Sequence, residues 1–344
     1  MDPADALARM GYLLDRASAS TYRARAYHRA AEVIGALAPE EVADRARTGR
    51  LLDLEHVGPK TAAVVEQALA GTVPAELAEL ESTTVVAPTT GAGAALAGAL
   101  RGDCHTHSDW SDGGAAIATM ARAARALGHD YVVLTDHSPR LKVANGLTAE
   151  RLRRQLDEVA AVNDELAAAA APGFRILTGI EVDILDDGAL DQDEDLLARL
   201  DLVVASVHSK LRMDSPAMTR RMATAVANPH VDVLGHCTGR LRTGKGRPES
   251  TFDAELVFHA CQRFDTAVEV NCRPERLDPP RRLLALAADS GCRFAMDTDA
   301  HAPGQLEWQP YGADRLAGVG VGADRVVNTG TADELVAWTA SHAG

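Results

Sequence analysis

No apolar run in this 344-residue sequence approaches the roughly 20 residues that span a bilayer, which excludes a helical membrane anchor. The first residues, MDPADALARMGYLLDRASAS, lack a basic segment leading into an apolar core, so no secretory signal is read there. Cysteines are few: Cys104, Cys237, Cys261, Cys272 and Cys292 are odd in number and scattered, which excludes a disulfide framework and fits a reducing, cytoplasmic compartment. Cations are outnumbered, with 35 Lys and Arg against 49 Asp and Glu for a net charge of −14. That balance excludes a protein that coats nucleic acid through a broad basic face. A small phosphate site neutralised by metal stays open, because acidic groups beside bound cations enter the count without repelling phosphate. What is present is an ordinary globular composition, 46% hydrophobic and 24% charged, in a chain long enough for one large domain and a small one.

The chain changes texture along its length. Residues 1–82 predict a small all-α domain. ADALARMGYLLDRA and STYRARAYHRAAEVIGAL carry apolar residues at helical spacing, and LLDLEHVGPKTAAVVEQALAG opens a further helix after a Val-Gly-Pro turn. Residues 83–100, rich in Thr, Ala, Gly and Pro, read as a linker. Across 101–344, short apolar runs alternate with helical segments. The runs are YVVLTDH, RILTGIEVDIL, DLVVASVHS, VDVLGH, AVEVN, CRFAMDTDAH and DRVVNT; TAERLRRQLDEVAAVNDELAAA and PPRRLLALAADSG are helical examples. Such alternation predicts a parallel α/β barrel.

Residues able to bind a metal sit at the ends of these runs. RGDCHTHSDWSDGG supplies His105, His107 and Asp112; further along come His137, Glu181, His208, His236, Asp299 and His301. In a parallel barrel the C-terminal strand ends converge, so these nine side chains would face one another. A single histidine of this kind is usually a hydrogen-bonded structural residue, and His28, His56, His129, His230, His259 and His342 are read so. Nine without a shared site would be a costly accumulation of buried polar groups. The set therefore predicts two to three divalent ions, its mix of imidazole and carboxylate suiting Zn, Mn or Fe. Asp109 reads as solvated.

HTHSDWSDG, LTDHS, GIEVDIL, ASVHSK, LGHCTGR, VEVNCRPERLD and DTDAH resemble, in order, the motifs of PHP (polymerase and histidinol phosphatase) domains over about 101–330. They are most similar to the PHP domain of bacterial X-family DNA polymerases. The resemblance implies a distorted (β/α)7 barrel holding up to three metals. His105, His107, Glu181 and Asp299 would hold the first; a bridging Glu181 with His208 and His236 the second; Asp112, His137 and His301 the third. It implies phosphoester hydrolysis by a metal-activated water, with Lys210, Arg240, Arg273 and Arg276 placed to meet phosphate oxygens.

The N-terminal segment resembles the helix–hairpin–helix domain that begins X-family polymerases, in which Val57, Gly58 and Lys60 would meet a DNA phosphate at a helix N-terminus. Two positions depart from that pattern. His56 stands where a glycine is usual, and Val64 stands where lyase-active relatives carry a nucleophilic lysine. The linker is too short for a palm and fingers, so polymerisation is not expected. The resulting expectation is a metal-dependent phosphoesterase acting as a 3′–5′ exonuclease or 3′-end cleaner on DNA, alongside DNA-repair proteins. A small-molecule phosphatase of the histidinol-phosphate or nucleotide kind is the first alternative, and a non-catalytic DNA-end adaptor the second.

Overall fold

Asp2 accepts the Ala4 and Asp5 amides just ahead of Pro3, so the chain enters helix α1 (Pro3–Arg16) at once, its first orphan N–H groups capped. Ser20 caps α2 (Thr21–Gly35) through the Arg23 amide. α3 (Pro39–Arg47), α4 (Pro59–Leu69) and α5 (Ala75–Thr83) complete the first unit. Leu7, Met10 and Leu14, three and four apart on α1, pack with Tyr27, Ile34, Val65 and Leu77 into a core of its own. In this computed structural model, which describes residues 1–86, 89–168 and 173–342, the chain divides into two compact units. Met1–Val86 with Ala302–Gln305 form one, and Ala87–His301 with Leu306–Gly344 form the other. The stretch read as a linker carries a helix, α6 (Gly91–Ala99), which packs within the second unit on helix Gln309–Ala317.

The second unit is a seven-stranded parallel sheet: β1 (Gly102–Thr106), β2 (Tyr131–Leu134), β3 (Arg175–Asp183), β4 (Leu202–Ser206), β5 (Val233–Leu234), β6 (Ala267–Asn271) and β7 (Phe294–Asp297), neighbours in chain order. Its strands are buried throughout or nearly so, as a sheet covered on both faces requires. Helices Ile117–Ala126, Ala149–Ala168, Glu194–Leu197, Ser215–Val226, Ala254–Phe264 and Arg281–Asp289 fill the six connections, giving a nearly closed parallel barrel, as the alternation predicted, with the seven strands that the family resemblance implied.

Side chains and a backbone bond finish the closure between β7 and β1. Asp297 accepts the Cys104 amide at 2.9 Å, Asp103 accepts the Thr298 hydroxyl at 2.5 Å, and the His107 amide donates to Ala300 O at 2.8 Å. One expectation fails here: DRVVNT is not a strand. Val326 makes a single bridge to Phe294, and Val327–Thr329 is a 3-10 turn. The reason is Asn328, whose buried amide donates to Gly102 O at 3.0 Å and Met296 O at 2.8 Å and accepts the Met296 N–H. A side chain thus satisfies the backbone groups that a further strand would have paired.

Candidate metal centre

Every sequence-predicted ligand lies at the C-terminal ends of the barrel strands. His105 belongs to β1 itself, and His107 follows one residue past it on the same side, as the two-residue period of a strand dictates. Glu181 lies inside β3, and His137, three residues past β2, pairs with it in an isolated parallel bridge. His208 and His236 follow β4 and β5 by two residues, and Asp299 and His301 follow β7.

Glu181 is the hub. Its Oε2 lies 2.8 Å from His137 Nδ1, 3.3 Å from His105 Nε2 and 3.6 Å from His107 Nε2. Its Oε1 lies 2.8 Å from His236 Nε2 and 3.1 Å from His208 Nε2. Asp299 Oδ1 is 3.4 Å from His107 Nε2, while Asp112 Oδ1 lies 3.3 Å from His301 Nε2 and 3.5 Å from His137 Nε2. Asp109 is exposed.

Three groups bring ligand atoms within 4.8 Å of one another: His107, Asp112, His137 and His301; His105, His107 and Glu181; and His137, Glu181 and His208. The geometry therefore sets His107 and His137 between groups. The expected trio of Asp112, His137 and His301 comes together. His236 reaches Glu181 without joining a compact group.

The donor set fits divalent ions. His105 Nε2, both His107 nitrogens, His137 Nδ1, His236 Nδ1 and Glu181 Oε2 are buried without a hydrogen-bond partner. Each such atom costs about 1–3 kcal/mol if left unsatisfied. His105 Nε2, His107 Nε2 and His137 Nδ1 all lie within 3.6 Å of Glu181 Oε2, a gathering of nitrogen donors about a carboxylate that a divalent cation can satisfy together. Burial alone would raise the Glu181 carboxyl, but His208, His105 and His137 around it hold it well below the usual range. Burial, with His301 and His137 beside it, pushes His107 down to about 3, so its imidazole is neutral and available as a ligand.

A ring of supporting carboxylates was not read from the sequence. Glu269 accepts from His105 Nδ1 at 2.6 Å, and Asp183 from His208 Nδ1 at 2.7 Å. These bonds fix the tautomer that turns each Nε2 inward. Asp136 accepts the Ser108 amide at 2.8 Å, the Ser108 hydroxyl at 2.6 Å and the Gln155 amide at 2.6 Å, holding the loop that carries Asp112. A signal existed: Asp136 and Asp183 neighbour ligand motifs, and Glu269 is a lone acid in an apolar strand.

Of the four cations expected at phosphate, two reach the cluster. Arg276 Nε is 3.2 Å from Asp299 Oδ2, and Arg273 Nη1 is 3.2 Å from His301 Nδ1. Lys210 is exposed and paired with Asp186. Arg240 donates to Arg276 O at 3.0 Å and to Leu277 O. In the first unit, Gly58 is the N-cap of α4, its amide donating to Thr61 Oγ1 at 2.9 Å; Val57 is buried and Lys60 exposed.

A nearly closed parallel barrel with histidines and carboxylates gathered at its strand ends offers a site able to hold divalent ions. Residues 103–271 match the PHP domain and residues 1–72 the helix-hairpin-helix domain; the chain carries a PHP domain with a helix–hairpin–helix domain ahead of it, and is a phosphoester hydrolase. It is 44% identical over 204 residues to the DNA polymerase/3′-5′ exonuclease PolX of Bacillus subtilis, a match covering 59% of this chain and 35% of that protein. The match thus spans about a third of that relative's length. A probable phosphatase of Thermoanaerobacter sp. is 28% identical over 240 residues, covering 66% of this chain and 89% of its own. Histidinol phosphate phosphatase from Lactococcus lactis, solved with zinc, histidinol and phosphate, aligns at TM-score 0.45 and 17% identity over 64% of this chain and 94% of that one.

Proposed function

We propose that this phosphoester hydrolase processes DNA 3′ ends, as a 3′–5′ exonuclease or 3′-end cleaner. The observation that carries the reading is the union, in one chain, of the PHP site with a helix–hairpin–helix domain. The 44% identity to a protein named as a 3′-5′ exonuclease supports it. Two to three ions of Zn, Mn or Fe would be held by His105, His107, Asp112, His137, Glu181, His208, His236, Asp299 and His301. Bound there, they would lower the pKa of a coordinated water toward neutrality and polarise the phosphoryl group.

The chain's own residues do the rest. Glu269 and Asp183 keep the His105 and His208 Nε2 atoms directed inward. Arg273 and Arg276, beside Asp299, meet the phosphoryl oxygens and offset charge that develops on them. At the start of α4, exposed Lys60 is the group that meets a DNA phosphate, since the Val57 and Gly58 amides donate to Leu54 O and Thr61 Oγ1.

A small-molecule phosphatase is the second reading, favoured by the phosphatase relative of which this chain covers 89%. A turnover screen with manganese decides between them, comparing a 3′-labelled oligonucleotide with histidinol phosphate and nucleotides. DNA-end processing requires kcat/KM for the oligonucleotide to exceed the others by at least about tenfold. The reverse order establishes the phosphatase, and salt-dependent DNA binding without any turnover establishes an adaptor.

A further inference from the structure

The turn that follows β5 holds a second feature. Between Thr238 and Pro248 the chain places Arg240, Arg242, Lys245 and Arg247 with no acidic residue, in a molecule whose net charge is −14. Leu241 and Arg247 exchange both backbone hydrogen bonds at 2.9 Å, closing a hairpin whose tip contains Gly244 and Gly246, both at φ 65°. Its four cations divide into two pairs. Arg240 and Arg247 turn inward onto carbonyls, Arg240 onto Arg276 O and Leu277 O and Arg247 onto Gly239 O. The Arg242 amide donates to Glu275 O at 2.7 Å. The hairpin is thereby fastened to the 275–277 segment, whose Arg276 stands 3.2 Å from Asp299 in the metal centre.

Arg242 and Lys245, in contrast, are exposed, with no ion pair to any described residue. The neighbouring carboxylates are engaged already: Glu249 pairs with Arg240 at 3.6 Å and with Arg282, and Glu275 lies 3.5 Å from Arg273. Two unneutralised cations on an anchored base make a local positive potential against an acidic whole. A single phosphate ester is served by Arg273 and Arg276 at the cluster. Cations set outside it, but tied to it, match a ligand carrying further negative charges at a distance from the reacting one.

We propose that the Arg240–Arg247 hairpin docks the sugar–phosphate backbone of the nucleic-acid strand whose end occupies the metal centre, Arg242 and Lys245 making the contacts. This rests on the DNA-end reading above. The test uses the full chain with manganese, wild type against R242E/K245E and R242Q/K245Q, on a 3′-labelled oligonucleotide of about 20 nucleotides and on bis(p-nitrophenyl) phosphate.

At about 0.1 M salt, KM for the oligonucleotide should rise about tenfold or more in the reversal variant and by less in the neutral one. Hydrolysis of the small diester and the metal content should stay within about twofold. The slope of log(1/KM) against log salt should shrink by about 1.4, for two single-strand phosphate contacts at about 0.7 each. An unchanged KM and slope in both variants, with the wild type active on the oligonucleotide, overturns the docking role. So does equal loss on both substrates, or a change only in self-association by light scattering. A wild type that hydrolyses histidinol phosphate but no oligonucleotide overturns the DNA-end reading itself.

Discussion

Glu181 has five imidazoles within 3.6 Å and is almost fully buried. It belongs to two of the three compact donor groups, so its charge would serve more than one ion. Glu181→Gln should therefore lose at least one ion per chain by elemental analysis and at least about 10²-fold in kcat. Glu269 acts one step further out, through the His105 Nδ1 bond at 2.6 Å. Glu269→Gln keeps an oxygen that can accept from Nδ1–H but removes the charge that strengthens the ligand. Metal affinity should weaken about 10- to 100-fold, as for other partners of metal-bound histidines. A competitive chelator titration reads this, and full activity should return at saturating metal, which separates positioning from catalysis.

At the scale of elements, the loop after β1 shows how a ligand is held by backbone fit. Gly113 donates to Ser108 O at 2.9 Å, and a Cβ added there would lie 2.6 Å from Ser108 C and O. Backbone cannot yield as a side-chain tip can, so Gly113→Ala should displace Asp112. We expect the loss of about one ion while the barrel still unfolds as one transition. The hairpin before α4 offers a complementary case. His56 adopts φ 63°, the left-handed region that the usual glycine enters freely, so the turn survives with a residue tolerated there. The same helix speaks against lyase chemistry. Val64 is 3% exposed in the core, while Lys60 is exposed four residues earlier, about 6 Å along the axis. Borohydride trapping on incised abasic DNA should give no adduct; a strong one that vanishes in Lys60→Ala would sink this expectation.

For the whole molecule, the ions and the fold are linked. The cluster concentrates buried polar atoms without partners at the mouth of the barrel, so bound metal stabilises the folded state by mass action. Prolonged EDTA treatment should lower the barrel's melting temperature by several degrees and abolish turnover, with manganese restoring both. Because an imidazole must give up its proton to bind metal, metal affinity and activity should fall together as the pH is lowered. Unchanged melting after verified metal removal would show that the cluster carries no structural load. Among the described residues no helix is long and apolar enough to cross a membrane.

The order of strand–helix alternation and the placing of His, Asp and Glu at the ends of apolar runs were legible in the sequence. Both are local properties: a two-residue period fixes which side chains share a strand face, and parallel strands align their C-terminal ends. Tertiary structure alone decided how ligands are shared. His107 and His137 stand between groups because neighbouring strands bring β1, β2 and β3 ends within a few ångströms, a distance that spacing does not encode. It also decided that Asn328 would replace a strand, that Glu269 and Asp183 would orient His105 and His208, and that Arg240 would anchor a loop while Arg276 faced Asp299. Each of these contacts joins residues at least 23 positions apart in sequence, and only the packed barrel gives such pairs a shared location.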